Sequence, residues 1–168
     1  MTSVKRKPYN RAPKSSPKGV REQAAGTQVA ITYVESSAVV AGWLEGDTEA
    51  RHALVSPGRL VTSAITFAEA RRAIVRARAG RRISAHQEAS ILQGLAAQAA
   101  HCQLAPVSDT VLSRVGRPFP IEPVRTQDAI HLATLEGLGV APHLVTVVTR
   151  DARVAANARA LGFPVAGG

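Results

Sequence analysis

Apolar positions change period several times after residue 28, and each change marks a different element. Val29-Ala30-Ile31-Thr32-Tyr33-Val34 is a short, nearly continuous apolar run, which predicts a buried strand. Ser36 or Ser37 is placed to cap a helix running to about Glu45, with Val39, Val40, Trp43 and Leu44 on or near one face. A second short helix is expected over Thr48–Val55, broken by Pro57-Gly58. Residues 59–64 then predict a second strand. Thr66-Phe67-Ala68-Glu69 matches a capping box and opens a helix to about Ala79, with Phe67, Ala70 and Ile74 inward and Gly80 as its stop. Ser84-Ala85-His86-Gln87 is another such box, followed by Ile91, Leu92, Leu95, Ala99 and Cys102 at helical spacing.

The second half continues the alternation. Leu104–Val107 predicts a weak strand, and its proline suggests a strand end or an edge position. A short helix is expected from Ser108, then a proline-marked loop around residues 118–123. Thr126 is expected to cap a helix with Ile130, Ala133 and Leu138 inward, closed by Gly137 or Gly139. Leu144–Thr149 is the clearest strand, its β-branched run suggesting burial on both faces. A last helix is expected from about Asp151 to Leu161, stopped by Gly162, with a short strand at Phe163-Pro164-Val165. The order is strand, helices, strand, helices, strand, helix, strand, helix, strand. It predicts the α/β class: a central, mostly parallel sheet of four to five strands with helices on its faces. There is no internal repeat.

Composition narrows the setting. A chain of 168 residues with 45% hydrophobic and 20% charged positions can bury one real core, so residues 29–168 are expected to form a single domain. No apolar run reaches the roughly 18 residues of a membrane span, and no apolar segment follows the charged N-terminus as in a secretory signal. A cytoplasmic protein is expected. The lone Cys102 excludes an intramolecular disulfide and is expected to be a small buried side chain. The net charge of +9 is uneven: residues 1–22 hold seven basic side chains against Glu22 alone. Residues 1–28, rich in Lys, Arg, Pro, Ser and Gly, are expected to form a disordered basic tail. Such a tail can hold RNA phosphates by charge, but a solvated extension is the simpler reading.

Four acids fall near the ends of the predicted strands. In an open parallel sheet, ligands bind beyond the carboxyl ends. Glu35 follows the first strand, Glu69 lies one helical turn past the second, and Asp151 follows the fourth. Asp128 is in the first turn of the helix that precedes that fourth strand. Singly, each has an ordinary role as a cap, a capping-box partner, a helix-dipole partner or a polar strand end. Together they predict a carboxylate cluster. Clustered carboxylates repel, and a divalent cation with oxygen ligands relieves that repulsion and can activate a water against a phosphoryl group. Arg71, Arg72, Arg125 and Arg150 are candidates to hold a nucleic-acid backbone around the rim. His131 shares a helical face with Asp128, but a lone histidine in an apolar run is more often a packed core residue, and that is the expectation here.

The segments Tyr33-Val34-Glu35-Ser36-Ser37-Ala38-Val39-Val40, Thr66-Phe67-Ala68-Glu69-Ala70, Arg125-Thr126-Gln127-Asp128-Ala129-Ile130-His131-Leu132-Ala133 and Val148-Thr149-Arg150-Asp151 resemble, in order and spacing, those of a PIN domain, and within that family the VapC-type toxins. The resemblance covers about residues 30–166. It implies a three-layer α/β/α fold and an endoribonuclease that uses Mg²⁺ or Mn²⁺. It also implies a cognate antitoxin that covers the site, and a homodimer. On that basis Glu35 and Asp128 correspond to the main metal ligands, Glu69 and Asp151 to the other acids, and Ser37 and Thr149 to small hydroxyl positions that orient a carboxylate or a water. The family pattern has Asp where this chain has Glu35, whose extra methylene moves the carboxylate by about 1.5 Å. The alternative is therefore a degenerate PIN domain that binds RNA or a partner protein without cutting.

Other phosphate-handling families fit less well. Receiver domains use an active-site lysine, and every lysine here precedes residue 19. Haloacid-dehalogenase-like phosphatases carry Asp-x-Asp where this chain has Glu35-Ser36-Ser37. There is no glycine-rich phosphate loop. Aromatics at 4% argue against a base-stacking platform.

Overall fold

The computed structural model describes residues 30–166; the expected tail, residues 1–28, lies outside the described residues. The chain runs β1 (Ile31–Val34), α1 (Ser36–Leu44), α2 (Thr48–Val55), β2 (Arg59–Ser63), α3 (Thr66–Ala79), α4 (Ala85–His101), β3 (Gln103–Ala105), α5 (Asp109–Val115) and α6 (Thr126–Glu136). A 3-10 turn at Pro142–Leu144 leads into β4 (Val145–Val148), followed by α7 (Ala152–Ala160) and β5 (Val165–Ala166). The strands form one parallel sheet in the order β3-β2-β1-β4-β5. The expected fold class is the one observed. The weak strand before Pro106 is indeed at an edge.

Alternation along the strands divides the core into two layers. Tyr33, Val61, Val145 and Val147 face α5, α6 and α7, packing with Leu132, Val154 and Ala158. Val34, Leu60 and Val148 face the other way, onto Val39, Leu54, Phe67, Ile74 and Leu95 of α1–α4. Strands central to a parallel sheet are covered on both faces, which explains the near absence of polar positions in β1 and β4.

Strand order reverses at β1. The chain steps outward to β2 and β3 on one side, then returns to place β4 and β5 on the other. A crevice therefore opens beyond the carboxyl ends of β1 and β4, the usual ligand position in such sheets. Glu35 and Asp151 sit at that crevice, immediately after the two strands. The Glu35 N–H donates to Val148 O at 2.9 Å and joins the two ends.

Three expected caps are not formed. The N-cap of α1 is Glu35, not Ser36 or Ser37, because the longer side chain folds back onto the Ser37 N–H. The α3 box is absent: Ile65 is the N-cap without a side-chain bond, and the Thr66 hydroxyl pairs with Thr62 Oγ1 at 2.6 Å. Arg125, not Thr126, precedes α6. The Ser84–Gln87 box of α4 forms reciprocally. Leu138 lies beyond the end of α6, which Gly137 closes. Cys102 ends α4 and is half-buried.

Gly94, in the middle of α4, is a position where local propensity misleads. Alanine there would normally favour a helix by about 1 kcal/mol. Here a Cβ would lie 1.9 Å from the Trp43 ring, which rests against the glycine, while the Arg51 guanidinium lies 3.8 Å from the centre of that ring. Gly94→Ala is therefore expected to destabilise by about 1–3 kcal/mol. Urea unfolding followed by Trp43 fluorescence measures it.

Candidate metal centre

Glu35 is almost fully buried. Its Oε1 accepts from Ser36 Oγ at 2.6 Å. Its Oε2 accepts from Ser37 N at 3.0 Å, from Thr149 Oγ1 at 2.9 Å and from Ser37 Oγ. A buried carboxylate needs such donors. Ser37 does more: its Oγ also accepts from Arg150 N at 2.8 Å and Asp151 N at 3.1 Å. One hydroxyl thus ties the start of α1 to the turn between β4 and α7. Ser37→Ala leaves those groups short of a partner and is expected to destabilise the fold by about 1–3 kcal/mol, read from the urea midpoint.

Asp151 is the N-cap of α7, its Oδ1 accepting from Arg153 N at 2.8 Å and Val154 N at 3.0 Å. The local sequence predicts that role, and it coexists with a place in the crevice. Asp128, in the first turn of α6, is half-buried. Its Oδ2 is buried and has no hydrogen-bond partner among the described residues. Burial, then the Asp151 and Glu35 charges, pushes its carboxyl above the ordinary range, against a smaller opposing pull from Arg125.

Freed from the expected capping box, Glu69 reaches across to α6, where its Oε2 lies 2.7 Å from His131 Nε2. The same nitrogen is 3.7 Å from Glu35 Oε1. His131 Nδ1 is 3.1 Å from Tyr33 Oη. The histidine is a buried core residue, as expected, and it also faces the acids, which the lone-histidine rule does not reveal. Its i+3 spacing from Asp128 was the available signal.

All four acids line one open cavity of about 840 Å³. Glu35 and Glu69 of that lining, with His131 behind them, present ligand atoms within 4.8 Å of one another; Asp128 and Asp151 share the cavity without joining that tight group. Ser37 lines the cavity as well, while Thr149 supports it from behind, fully buried. Of the four rim arginines expected, Arg72 and Arg150 line the cavity and Arg71 does not. Arg125 acts on Asp128 by charge. Arg150 is clamped by Asp47 at 2.7 Å and Glu49 at 3.2 Å, and its hydrogen bond holds the Asp47 carboxyl down to about 2.

These residues fit a hard divalent cation. The donors are mostly carboxylate oxygens, one buried oxygen has no partner among the described residues, and Asp128 is strained by like charge that a cation would relieve.

The solved structures of similar fold come from several bacteria. VapBC2 of Rickettsia felis, bound to a DNA fragment from its promoter, is 11% identical with a TM-score of 0.54, covering 81% of this chain and 97% of its own. VapC20 of Mycobacterium tuberculosis, described as a Sarcin-Ricin loop cleaving toxin, is 15% identical with a TM-score of 0.55, covering 74% and 93%. A toxin–antitoxin complex from Klebsiella pneumoniae is 22% identical with a TM-score of 0.52, covering 81% and 96%. At such identities the likeness is one of fold. No curated protein matches the chain in sequence. The PIN domain family model matches residues 32–160, spanning β1 to the end of α7 and all four acids, and the chain belongs to the PIN-domain family.

Proposed function

We propose that this protein is an endoribonuclease dependent on Mg²⁺ or Mn²⁺, and the toxin of a type II toxin–antitoxin pair. The observation that carries the reading is the crevice at the reversal of strand order, lined by Glu35, Glu69, Asp128 and Asp151, with a buried Asp128 oxygen that has no partner among the described residues. The PIN membership and the toxin–antitoxin complexes among the similar folds support it. A cognate antitoxin covering the cavity, a homodimer and a cytoplasmic location belong to the same proposal. Among the described residues, no helix is long and apolar enough to cross a membrane.

In this reading Glu35, Asp128, Asp151 and Glu69 would hold the metal. When bound, it would supply Lewis acidity and a nucleophilic water at neutral pH. The protein's own part is positional. Ser37 and Thr149 fix the Glu35 carboxylate, and the α7 N-terminus fixes Asp151. Arg72 and Arg76, which line the cavity one helical turn apart and make no ion pair among the described residues, provide charge for RNA phosphates. Hydrolysis joins the water oxygen to phosphorus as the bond to the leaving ribose oxygen breaks.

A second reading has one specific observation in its favour: Glu35 already accepts four hydrogen bonds, as a structural cap would. A non-cleaving RNA- or protein-binding module would result. The test is RNA cleavage by the purified full chain and by Glu35→Asp, each with Mg²⁺, Mn²⁺ or chelator. Metal-dependent cleavage by the native chain supports the nuclease with Glu35 as a working ligand. Cleavage by Glu35→Asp alone means a sound scaffold with a displaced first ligand. Silence in both folded proteins favours the binding module.

A further inference from the structure

Glu69 has a flexible side chain on the first turn of α3, with Arg71 and Arg72 two and three positions along. A Glu–Arg pair three apart is a common helix contact. It is not made: among the described residues Glu69 pairs with His131, 62 positions away in sequence, at 2.7 Å. His131 is 1% exposed and both ring nitrogens are engaged. Tyr33, equally buried, has its Oη 3.1 Å from His131 Nδ1 and 3.2 Å from His131 O.

A phenol has one proton and therefore two ways to satisfy this contact. It donates to Nδ1, and a neutral ring keeps its proton on Nε2. Or it donates to the His131 carbonyl and accepts from Nδ1–H, and a proton on Nε2 is then needed to meet the carboxylate. In both, Nε2–H donates to Glu69 Oε2. With Glu69 ionised, the Nε2–H donor is aimed at one oxygen of the carboxylate, which leaves Oε1 for another partner.

On the metal-centre reading above, we propose that His131, oriented by Tyr33, is the positioning residue that holds Glu69 toward Glu35 as a one-oxygen metal ligand. Tyr33 lies two residues before Glu35 and His131 three after Asp128, so the relay couples the elements that carry three of the four acids. Outer partners of metal ligands typically govern affinity by about 10–100-fold.

The test is Mn²⁺ binding to the full chain, followed by the electron paramagnetic resonance of free Mn²⁺. His131→Met is expected to weaken binding by about 10–100-fold with the fold intact by circular dichroism. His131→Gln, which keeps an N–H donor, is expected to recover most of the loss. In a Glu69→Ala background, His131→Met is expected to cost nothing further, because the effect passes through Glu69. Tyr33→Phe carries the test if His131→Met does not fold, and is expected to weaken binding in the same direction. Unchanged affinity in the folded variant overturns the proposal and leaves His131 a core residue. Nitrogen-14 coupling to bound Mn²⁺ in the native chain also overturns it, by making His131 a ligand itself. Failure of the native chain to bind Mn²⁺ overturns both this proposal and the metal centre on which it rests.

Discussion

Asp128→Asn is expected to abolish metal-dependent RNA cleavage while making the metal-free protein more stable. The two effects have one cause. Asp128 Oδ2 is buried without a partner among the described residues, so the substitution breaks no hydrogen bond seen there, and it removes a charge that Asp151 and Glu35 repel. The folded-state pKa of Asp128 is raised. Its contribution to stability is therefore present below the ordinary carboxylate value and lost as pH rises through the raised value, so near neutrality the ionised group opposes folding. Removing it is expected to add about 1 kcal/mol, or roughly 2–4 °C in Tm for a chain this size. Cleavage is expected to fall by more than about 10²-fold, since misplacing a reacting group by 1 Å alone can cost that much. Divalent metal separates the effects further. At 100 times its Kd it stabilises the native chain by about 2.7 kcal/mol, while the variant gains little. The order of melting temperatures reverses when metal is added, and a thermal melt with and without Mn²⁺ reads it directly.

The largest loss of stability is expected from Leu132→Ala. Leu132 is fully buried between the sheet and the helices on its α6 face, in the cluster that includes Tyr33, Val147 and Val154. Truncation leaves a cavity next to the His131 backbone, and such changes cost about 2–5 kcal/mol. That is a large part of the roughly 5–15 kcal/mol that holds a domain folded. It corresponds to a fall of about 4–20 °C in Tm. At temperatures where the variant is still folded, Mn²⁺ affinity is expected to stay within a few-fold of native, because Leu132 belongs to the core cluster and does not line the cavity. A melt by circular dichroism and a binding isotherm at low temperature separate the two quantities.

Much of the fold was legible because its signals are local. The β-branched run at Val145–Val148 and the breaks at Pro57-Gly58, Gly80 and Gly162 mark elements within a few residues of where they lie. Strand order was not legible, yet the rule that ligands bind beyond strand ends sufficed to bring Glu35 and Asp151 to one crevice. What remained hidden depends on partners far apart in sequence. Thr66-Phe67-Ala68-Glu69 reads as a capping box until Thr62 takes the Thr66 hydroxyl and His131 takes Glu69. Arg150 lines the cavity as a rim charge should, but Asp47 and Glu49 engage it. In each case a long-range contact overrode a correct local preference. Glu35 is a different matter. Its extra methylene was expected to move the carboxylate by about 1.5 Å; the carboxylate caps α1 through the Ser37 N–H, and Glu35 lines the cavity.

The most direct test of the central claim, that the four carboxylates share one divalent cation, is the anomalous diffraction of crystals of the full chain grown with Mn²⁺. One strong peak is expected inside the cavity, within coordinating distance of Asp128 Oδ2 and of oxygens from Glu35, Glu69 and Asp151. A cavity with no peak at saturating Mn²⁺, or a peak bound by other residues, would contradict it.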